Sequence, residues 1–124
     1  MELNQYFKSI IEQDTCSVVI CDMNHTMIYL NPAAIKNYEK YGGAKLWGKS
    51  LFDCHNQESN EKIKKVVDWF KQDKSHNIVH TYYQEDKFKD EYMVALRDDD
   101  GNLIGYYEKH EIRKIDTTPF YDMK

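Results

Sequence analysis

The stretch VVICDMNHTMIYLNPAA, residues 18–34, decides the fold predicted for this chain of 124 residues. Its first four residues, with Cys16 and Ser17 before them, are rich in β-branched side chains, which predicts a strand. Residues 22–25 predict a turn, because Asp and Asn side chains bond to the nearby backbone and tolerate a left-handed conformation. The next four apolar residues predict a second strand, so the stretch is typical of a β-hairpin. Asn31-Pro32 then predicts the start of a helix, with a capping side chain followed by proline at the first helical position.

The segments on either side of this hairpin are predicted to be helical. Before it, residues 3–13 carry apolar side chains near helical spacing and predict a short amphipathic helix. After it, residues 33–40 predict a helix that a pair of glycines would end. Residues 61–72, capped by Asn56 or Ser59, give the strongest helical signal. Their apolar residues recur at i, i+3, i+4 and i+7, namely Ile63, Val66, Val67 and Phe70.

The last third of the chain is predicted to be β. Residues 78–85, 92–97 and 103–112 predict strands, and Gly101 supplies a positive φ in the turn between the last two. The order of elements is therefore helix, hairpin, helices and three antiparallel strands, which predicts an α+β fold. We divide the chain into an N-terminal amphipathic helix, one domain and a C-terminal tail, at residues 1–14, 15–113 and 114–124.

Composition and charge exclude several classes of function. The net charge is −4 and basic residues are interleaved with acidic ones, so the clustered Lys and Arg of a nucleic-acid surface are absent. No apolar run approaches the ~18 residues of a membrane span. Cys16, Cys21 and Cys54 lack CxxC spacing and no signal peptide precedes them, which predicts free thiols in a cytoplasmic protein. The sequence has no catalytic motif and no set of zinc ligands, so we predict that the chain is not an enzyme.

Three segments of the sequence resemble the PAS domain family. Residues 18–34 resemble its opening pattern of a hydrophobic strand, Asp, a turn, a second strand and Asn-x-Ala. Residues 48–52 (GKSLF) resemble the step before its long helix. Residues 95–105 (ALRDDDGNLIG) resemble its closing hairpin, and the whole resemblance spans residues 5–113.

A closer resemblance is to PAS domains that carry a C-H-P-x-x-S segment before the long helix. Cys54, His55 and Ser59 match this segment, with Asn56 in place of the proline. The resemblance implies a stand-alone sensory protein with a five-stranded antiparallel sheet, helices packed on one face and a pocket between them. It also implies that the protein senses a ligand, redox state or light, and that it forms a homodimer or contacts a signalling partner.

His55 is the first candidate for a cofactor ligand in this pocket. Imidazole is a good axial ligand for haem iron; the alternative is a histidine that caps or packs at the helix start. Cys54, near a helix N-terminus, is either a reactive thiol with a lowered pKa or a small buried side chain. His80 and Tyr82 share a strand face by the period of two, so both are predicted to line the pocket, with His80 as a second haem ligand. The aromatic residues assigned to the same cofactor site are Tyr38, Trp47 and Phe52.

We therefore predict a sensory domain that binds a small molecule or haem and relays ligand or redox state to a partner. The cofactor candidates are haem, then an unidentified small molecule, then flavin. The flavin-binding light-sensing pattern N-C-R-F-L-Q is replaced here by FDCHNQ at residues 52–57, so a photochemical cysteine is not expected. The alternative is a ligand-free module whose N-terminal segment and outer sheet face form a homodimer or bind another protein.

Overall fold

A computed structural model describes residues 2–124. The helices are α1 (Asn4–Gln13), α2 (Pro32–Asn37) and α3 (Gln57–Gln72). The strands are β1 (Ser17–Asp22), β2 (Met27–Leu30), β3 (Ile78–Gln84), β4 (Lys89–Arg97) and β5 (Leu103–Ile112). Four short 3-10 turns lie at Glu39–Tyr41, Gly43–Leu46, Leu51–Cys54 and Glu85–Lys87.

The strands form one five-stranded sheet in the order β2-β1-β5-β4-β3, and every neighbouring pair is antiparallel. The core lies between α3 and one face of this sheet, which we call the inner face. The predicted α+β architecture, with helices covering one face of the sheet, is confirmed. The largest fully buried apolar side chains of the core are Tyr106, Phe70, Met27, Leu30 and Leu51.

Asn31 confirms the predicted helix cap and also ties three elements together. Its Oδ1 accepts from the backbone N–H of Ala34 (2.9 Å), which caps α2, and from that of Val18 in β1 (2.9 Å). Its Nδ2 donates to the backbone oxygen of Ile11 at the end of α1 (3.0 Å) and to that of Cys16 (2.9 Å). This side chain is fully buried, so each of these bonds is protected from competition with water.

The two ends of α3 are fixed by side chains from outside the helix. Asn56 caps the start, where its Oδ1 accepts from the backbone N–H of Ser59 (2.8 Å), so α3 begins four residues before the predicted start. Arg97 of β4 binds the other end. Its guanidinium donates to the backbone oxygens of Phe70 (2.8 Å) and Asp73 (3.2 Å). The C-terminal end of α3 is thereby anchored to β4.

A register shift in the β3–β4 pair changes which residues of β3 face the core. His80 pairs with Tyr92 and Tyr82 pairs with Glu91, so Thr81 is an extra residue in β3. Such a bulge reverses the alternation of side chains along the strand. The prediction that His80 and Tyr82 share a face is therefore wrong, because it assumed an unbroken period of two.

The other face of the sheet, which we call the outer face, carries α1 at one end. Ile10 and Ile11 of α1 lie beside Val18 and Ile20 of β1 across a shallow groove. No residue of α1 is buried, although the helix is amphipathic as predicted. Only α2 and α3 therefore lie on the inner face.

Candidate functional site

A cavity of about 340 Å³ lies between the first half of α3 and the inner face of β3, β4 and β5. Its apolar wall consists of Ile63 and Val66 from α3 and Met93 from β4. The spacing of the first two follows from the helical period, which turns both toward the sheet. Its polar lining comes from Ser59, Lys62, Thr81, Tyr82, Tyr92 and the four residues described next, His55, Glu91, Glu108 and His110.

Glu91 and His110 form a hydrogen-bonded pair on one side of the cavity. Asn37 Nδ2 lies 3.4 Å from His110 Nδ1 and donates to it, which leaves the His110 Nε2–H to donate to Glu91 Oε1 at 3.2 Å. Burial alone would raise the pKa of Glu91, but the hydrogen bond from His110 and the positive charges around the carboxylate, that of Lys89 among them, together hold this pKa below its ordinary value. Glu91 is therefore ionised and has a partner.

Glu108 has the opposite environment. It faces the cavity from β5, and within residues 2–124 no side chain or backbone N–H donates a hydrogen bond to its carboxylate. Burial raises the pKa of Glu108, and the neighbouring charge of Glu91 adds to this, while His55 and His110 oppose it. A carboxylate without a partner thus lies two residues from the histidine that pairs with Glu91.

His55 reaches the cavity from the 3-10 turn before α3. Its Nδ1 lies 3.0 Å from the backbone oxygen of Leu51 and donates to it, because a carbonyl oxygen can only accept. In the neutral ring this bond leaves Nε2 as a hydrogen-bond acceptor on the cavity side. The prediction that His55 faces the pocket is in agreement with this position.

Tyr82 also lines the cavity, whereas His80 does not. His80 lies on the outer face, where its Nε2 contacts Asp90 Oδ1 at 2.8 Å and its ring packs on Tyr92. Its side chain is 51% exposed. The prediction that His80 lines the pocket is wrong, and the bulge at Thr81 is the physical reason.

The other predicted site residues lie outside the cavity lining. Trp47 is 49% exposed and its ring edge contacts Tyr29. Phe52 packs on His25, and Tyr38 packs near His110. These three aromatic residues therefore support the core and its rim, and they do not form a wall of the cavity.

Cys54 packs against the core beside the cavity and is not part of its lining. Burial and the neighbouring carboxylate of Asp53 raise the pKa of its thiol. The interpretation as a reactive thiol required a lowered pKa, so the structure favours the alternative of a partly buried side chain.

Sequence reasoning missed Glu91, Glu108 and His110, the three residues that give the cavity its charge. A signal for two of them was present. Tyr106, Glu108 and His110 share one face of β5 by the period of two, and Tyr106 is the kind of large aromatic residue that marks the core face. Only 7% of His110 is accessible, so it lies on the buried face of β5.

Residues 2–124 contain neither a cluster of metal-ligating side chains nor a helix that could span a membrane. No three His, Cys, Asp or Glu side chains in this range come together as a metal site. No helix in the same range is long and apolar enough to cross a membrane.

A family model described as PAS domain matches residues 15–108. The chain belongs to the PAS domain family. The cavity therefore lies between the sheet and the long helix of a PAS domain, and PAS domains are sensory and signalling modules. No curated protein sequence matches the chain.

Solved structures share the fold. The C-terminal domain of a Streptococcus mutans protein is 20% identical with a TM-score of 0.67, over 97% of this chain and 89% of that one. A PAS domain from Colwellia psychrerythraea is 12% identical with a TM-score of 0.68, over 90% and 97%. A sensory box sensor histidine kinase from Vibrio cholerae is 12% identical with a TM-score of 0.63, over 90% and 92%. At these identities the likeness shows the fold alone.

Proposed function

We propose that this PAS domain is a sensor that binds a small molecule in the cavity and relays its presence to a partner. The observation that carries the proposal is a cavity of about 340 Å³ with an apolar wall and a carboxylate, Glu108, that no other group of residues 2–124 binds. Ligand sites are typically apolar cavities of ~300–1,000 Å³ with a few polar groups that orient the ligand. A ligand here would contact both α3 and the sheet, so its binding would favour one relative position of the two.

Haem is the first cofactor that the sequence predicted, and the cavity meets only part of its requirements. His55 offers a free Nε2, and its Nδ1 bond to the Leu51 carbonyl orients the ring as a metal-binding histidine needs. The volume of the cavity, however, is near the lower end of the ~300–1,000 Å³ range, and a porphyrin with its propionates needs far more room. The cavity therefore does not fit haem. The same argument disfavours flavin, so we propose a smaller ligand.

Native mass spectrometry of the full chain as purified tests the proposal. We expect a noncovalent adduct of low mass that denaturation releases, and an absorbance scan without a Soret band. Val66→Phe, which fills the cavity from α3, should abolish the adduct, whereas Val66→Ala should retain it. The proposal is contradicted if the wild-type chain carries no adduct and gains none from a metabolite extract, or if Val66→Phe keeps the adduct unchanged.

A second candidate function is protein interaction through α1 and the outer face, as a homodimer or with a signalling partner. It is favoured by the exposed apolar side chains at the start of the chain, which are Leu3 at the N-cap of α1 and Tyr6, Phe7 and Ile10 within α1. Contiguous exposed apolar side chains commonly mark interaction sites. Sedimentation velocity of the full chain tests this candidate, because it measures whether the protein is a monomer or a dimer. Phe7→Asp should shift a dimer to monomer, whereas Ser9→Asp on the same helix should not.

We also propose a sensory instead of a catalytic role, in the cytoplasm. The raised pKa values of two thiols support this proposal. Burial raises the pKa of Cys21 to about 12, and the pKa of Cys54 is also raised. All three cysteines are free, which suits a reducing compartment.

A further inference from the structure

Three polar side chains that line the cavity offer hydrogen-bond acceptors. In the neutral ring, His55 Nε2 is an acceptor because Nδ1 donates to the Leu51 carbonyl. Glu108 offers a carboxylate with no donor among the described residues, and Glu91 uses Oε1 for His110 and has Oε2 remaining. The cavity therefore presents acceptors from three directions. Glu108 is half-buried, and an acceptor that is partly removed from water is costly unless a donor meets it.

Two donors that line the same cavity are already engaged, and the hydroxyl groups of Ser59 and Tyr82, which also line it, make no hydrogen bond to Glu108. The His110 Nε2–H donates to Glu91, and Thr81 Oγ1 donates to the backbone oxygen of Glu91 (3.1 Å). Lys62 is the one cation in the lining, and its Nζ lies 3.5 Å from Glu58 Oε1 at the exposed surface. Among residues 2–124, Glu108 thus has no cation within contact distance, although it shares the cavity lining with the apolar side chains of α3.

We propose that the cavity selects a small organic cation or N–H donor with a flat apolar body, and that Glu108 is the residue that anchors its nitrogen. This inference rests on the proposed function, because it names the ligand class of the same cavity. Ile63, Val66 and Met93 would pack on the apolar body, as they already form one wall. A charge-assisted bond from nitrogen to the Glu108 carboxylate would supply the missing donor. An anion of the same shape would instead meet two carboxylates.

Three probes of one shape separate charge from size: benzamidine, benzamide and benzoate. Each carries the same ring, and only the polar group changes from a cation through a neutral amide to an anion. The full chain, labelled with ¹⁵N, is titrated with each probe while its amide resonances are followed. We expect benzamidine to bind with an affinity of order 1 mM, to shift residues of the cavity, and to bind roughly tenfold more tightly than benzoate.

Two variants test whether the carboxylate of Glu108 causes the preference for a cation. Glu108→Gln keeps the shape of the side chain and removes its charge. It should therefore weaken the binding of benzamidine roughly tenfold and leave the binding of benzamide nearly unchanged. Glu111→Gln is the matched control, because it removes one negative charge from the same strand and lies on the outer face, away from the cavity. It should leave benzamidine binding as in the wild type.

Each outcome bears on the proposal. Stronger binding of benzamidine that is lost only in Glu108→Gln supports it. Benzoate or benzamide binding in the cavity as tightly as benzamidine overturns the cation preference and leaves the sensor proposal intact. Equal weakening in both variants overturns the role of Glu108. If none of the three probes shifts a residue of the cavity, the ligand class is wrong, and the adduct in native mass spectrometry decides the sensor proposal separately.

Discussion

The inner face of the sheet is solid at one end and hollow at the other. At the solid end, Phe70 of α3 and Tyr106 of β5 belong to one core cluster and are fully buried. At the hollow end, the same helix presents Ile63 and Val66, and the same strand presents Glu108, around a cavity of about 340 Å³. One helix and one strand therefore build both the core and the candidate site.

The difference shows where a small domain can place a site without losing its stability. Positions 106 and 108 of β5 face the same way, yet one holds a buried aromatic ring and the other a carboxylate without a partner. Burying such a carboxylate costs free energy, whereas burying the ring of Tyr106 gains it. The free energy gained by packing at the solid end thus offsets the cost of burying the carboxylate at the hollow end. Unfavourable local environments of this kind are typical of binding sites.

Two adjacent valines of α3 should show the largest difference in stability between the two ends. Val67→Ala removes a fully packed side chain from the solid end and should lower the free energy of unfolding by about 2 kcal/mol. Val66→Ala makes the same change at the wall of the cavity and should cost about 0.5–1 kcal/mol, because its side chain already faces empty space. Urea unfolding measures both. Equal losses would mean that the two ends are packed alike.

A smaller effect comes from the two glutamates of the cavity. The raised pKa of Glu108 means that its contribution to stability is fully present only below the unfolded-state pKa and is lost as pH rises through the folded-state value. Glu108→Gln should therefore stabilise the domain, by about 1 kcal/mol near pH 7, and the gain should grow between acidic and neutral pH. Thermal unfolding across this range measures it.

Glu91→Gln should act in the opposite direction. The lowered pKa of Glu91 means that its contribution is present above its ordinary value of 4.5 and is lost as pH falls through the folded-state value. The variant should destabilise the domain at pH 7 by about 1 kcal/mol, because it weakens the bond to His110, and the difference should vanish in acid. Two variants that shift stability in the same direction at pH 7 would contradict the opposite environments of these carboxylates.

Much of the fold could be predicted from the sequence, because it follows from local rules. An Asn directly before Pro commonly caps a helix, and Asn31 caps α2 in this way. Ile63 and Phe70 lie seven residues apart, so the helical period places them on one face of α3. Gly101 has a φ of 83°, as the predicted turn demands. The α2 prediction ran three residues too far, since the chain continues into a 3-10 turn that the helical period does not distinguish.

The site could be predicted only in part, because it depends on register and on distant pairing. His55 was found from its place before α3, but His80 was assigned to the wrong face because nothing in a sequence marks the extra residue at Thr81. Glu91 and Glu108 come from different strands, and only the pairing of β4 with β5 brings them to one cavity. Charged and polar residues are mostly exposed in proteins, and the burial of His110 is an exception that depends on how the sheet packs.

The central claim is that the hollow end of the inner face is a binding site and the solid end is not. Methyl NMR of the full chain with benzamidine, benzamide and benzoate tests it, because Val66 and Met93 line the cavity, whereas Val67 and Met27 are core side chains outside its lining. We expect at least one probe to shift the methyl resonances of the first pair and to leave those of the second pair in place. A binding site at the hollow end is contradicted if both pairs shift alike, or if the three probes and a metabolite extract all leave Val66 and Met93 unchanged.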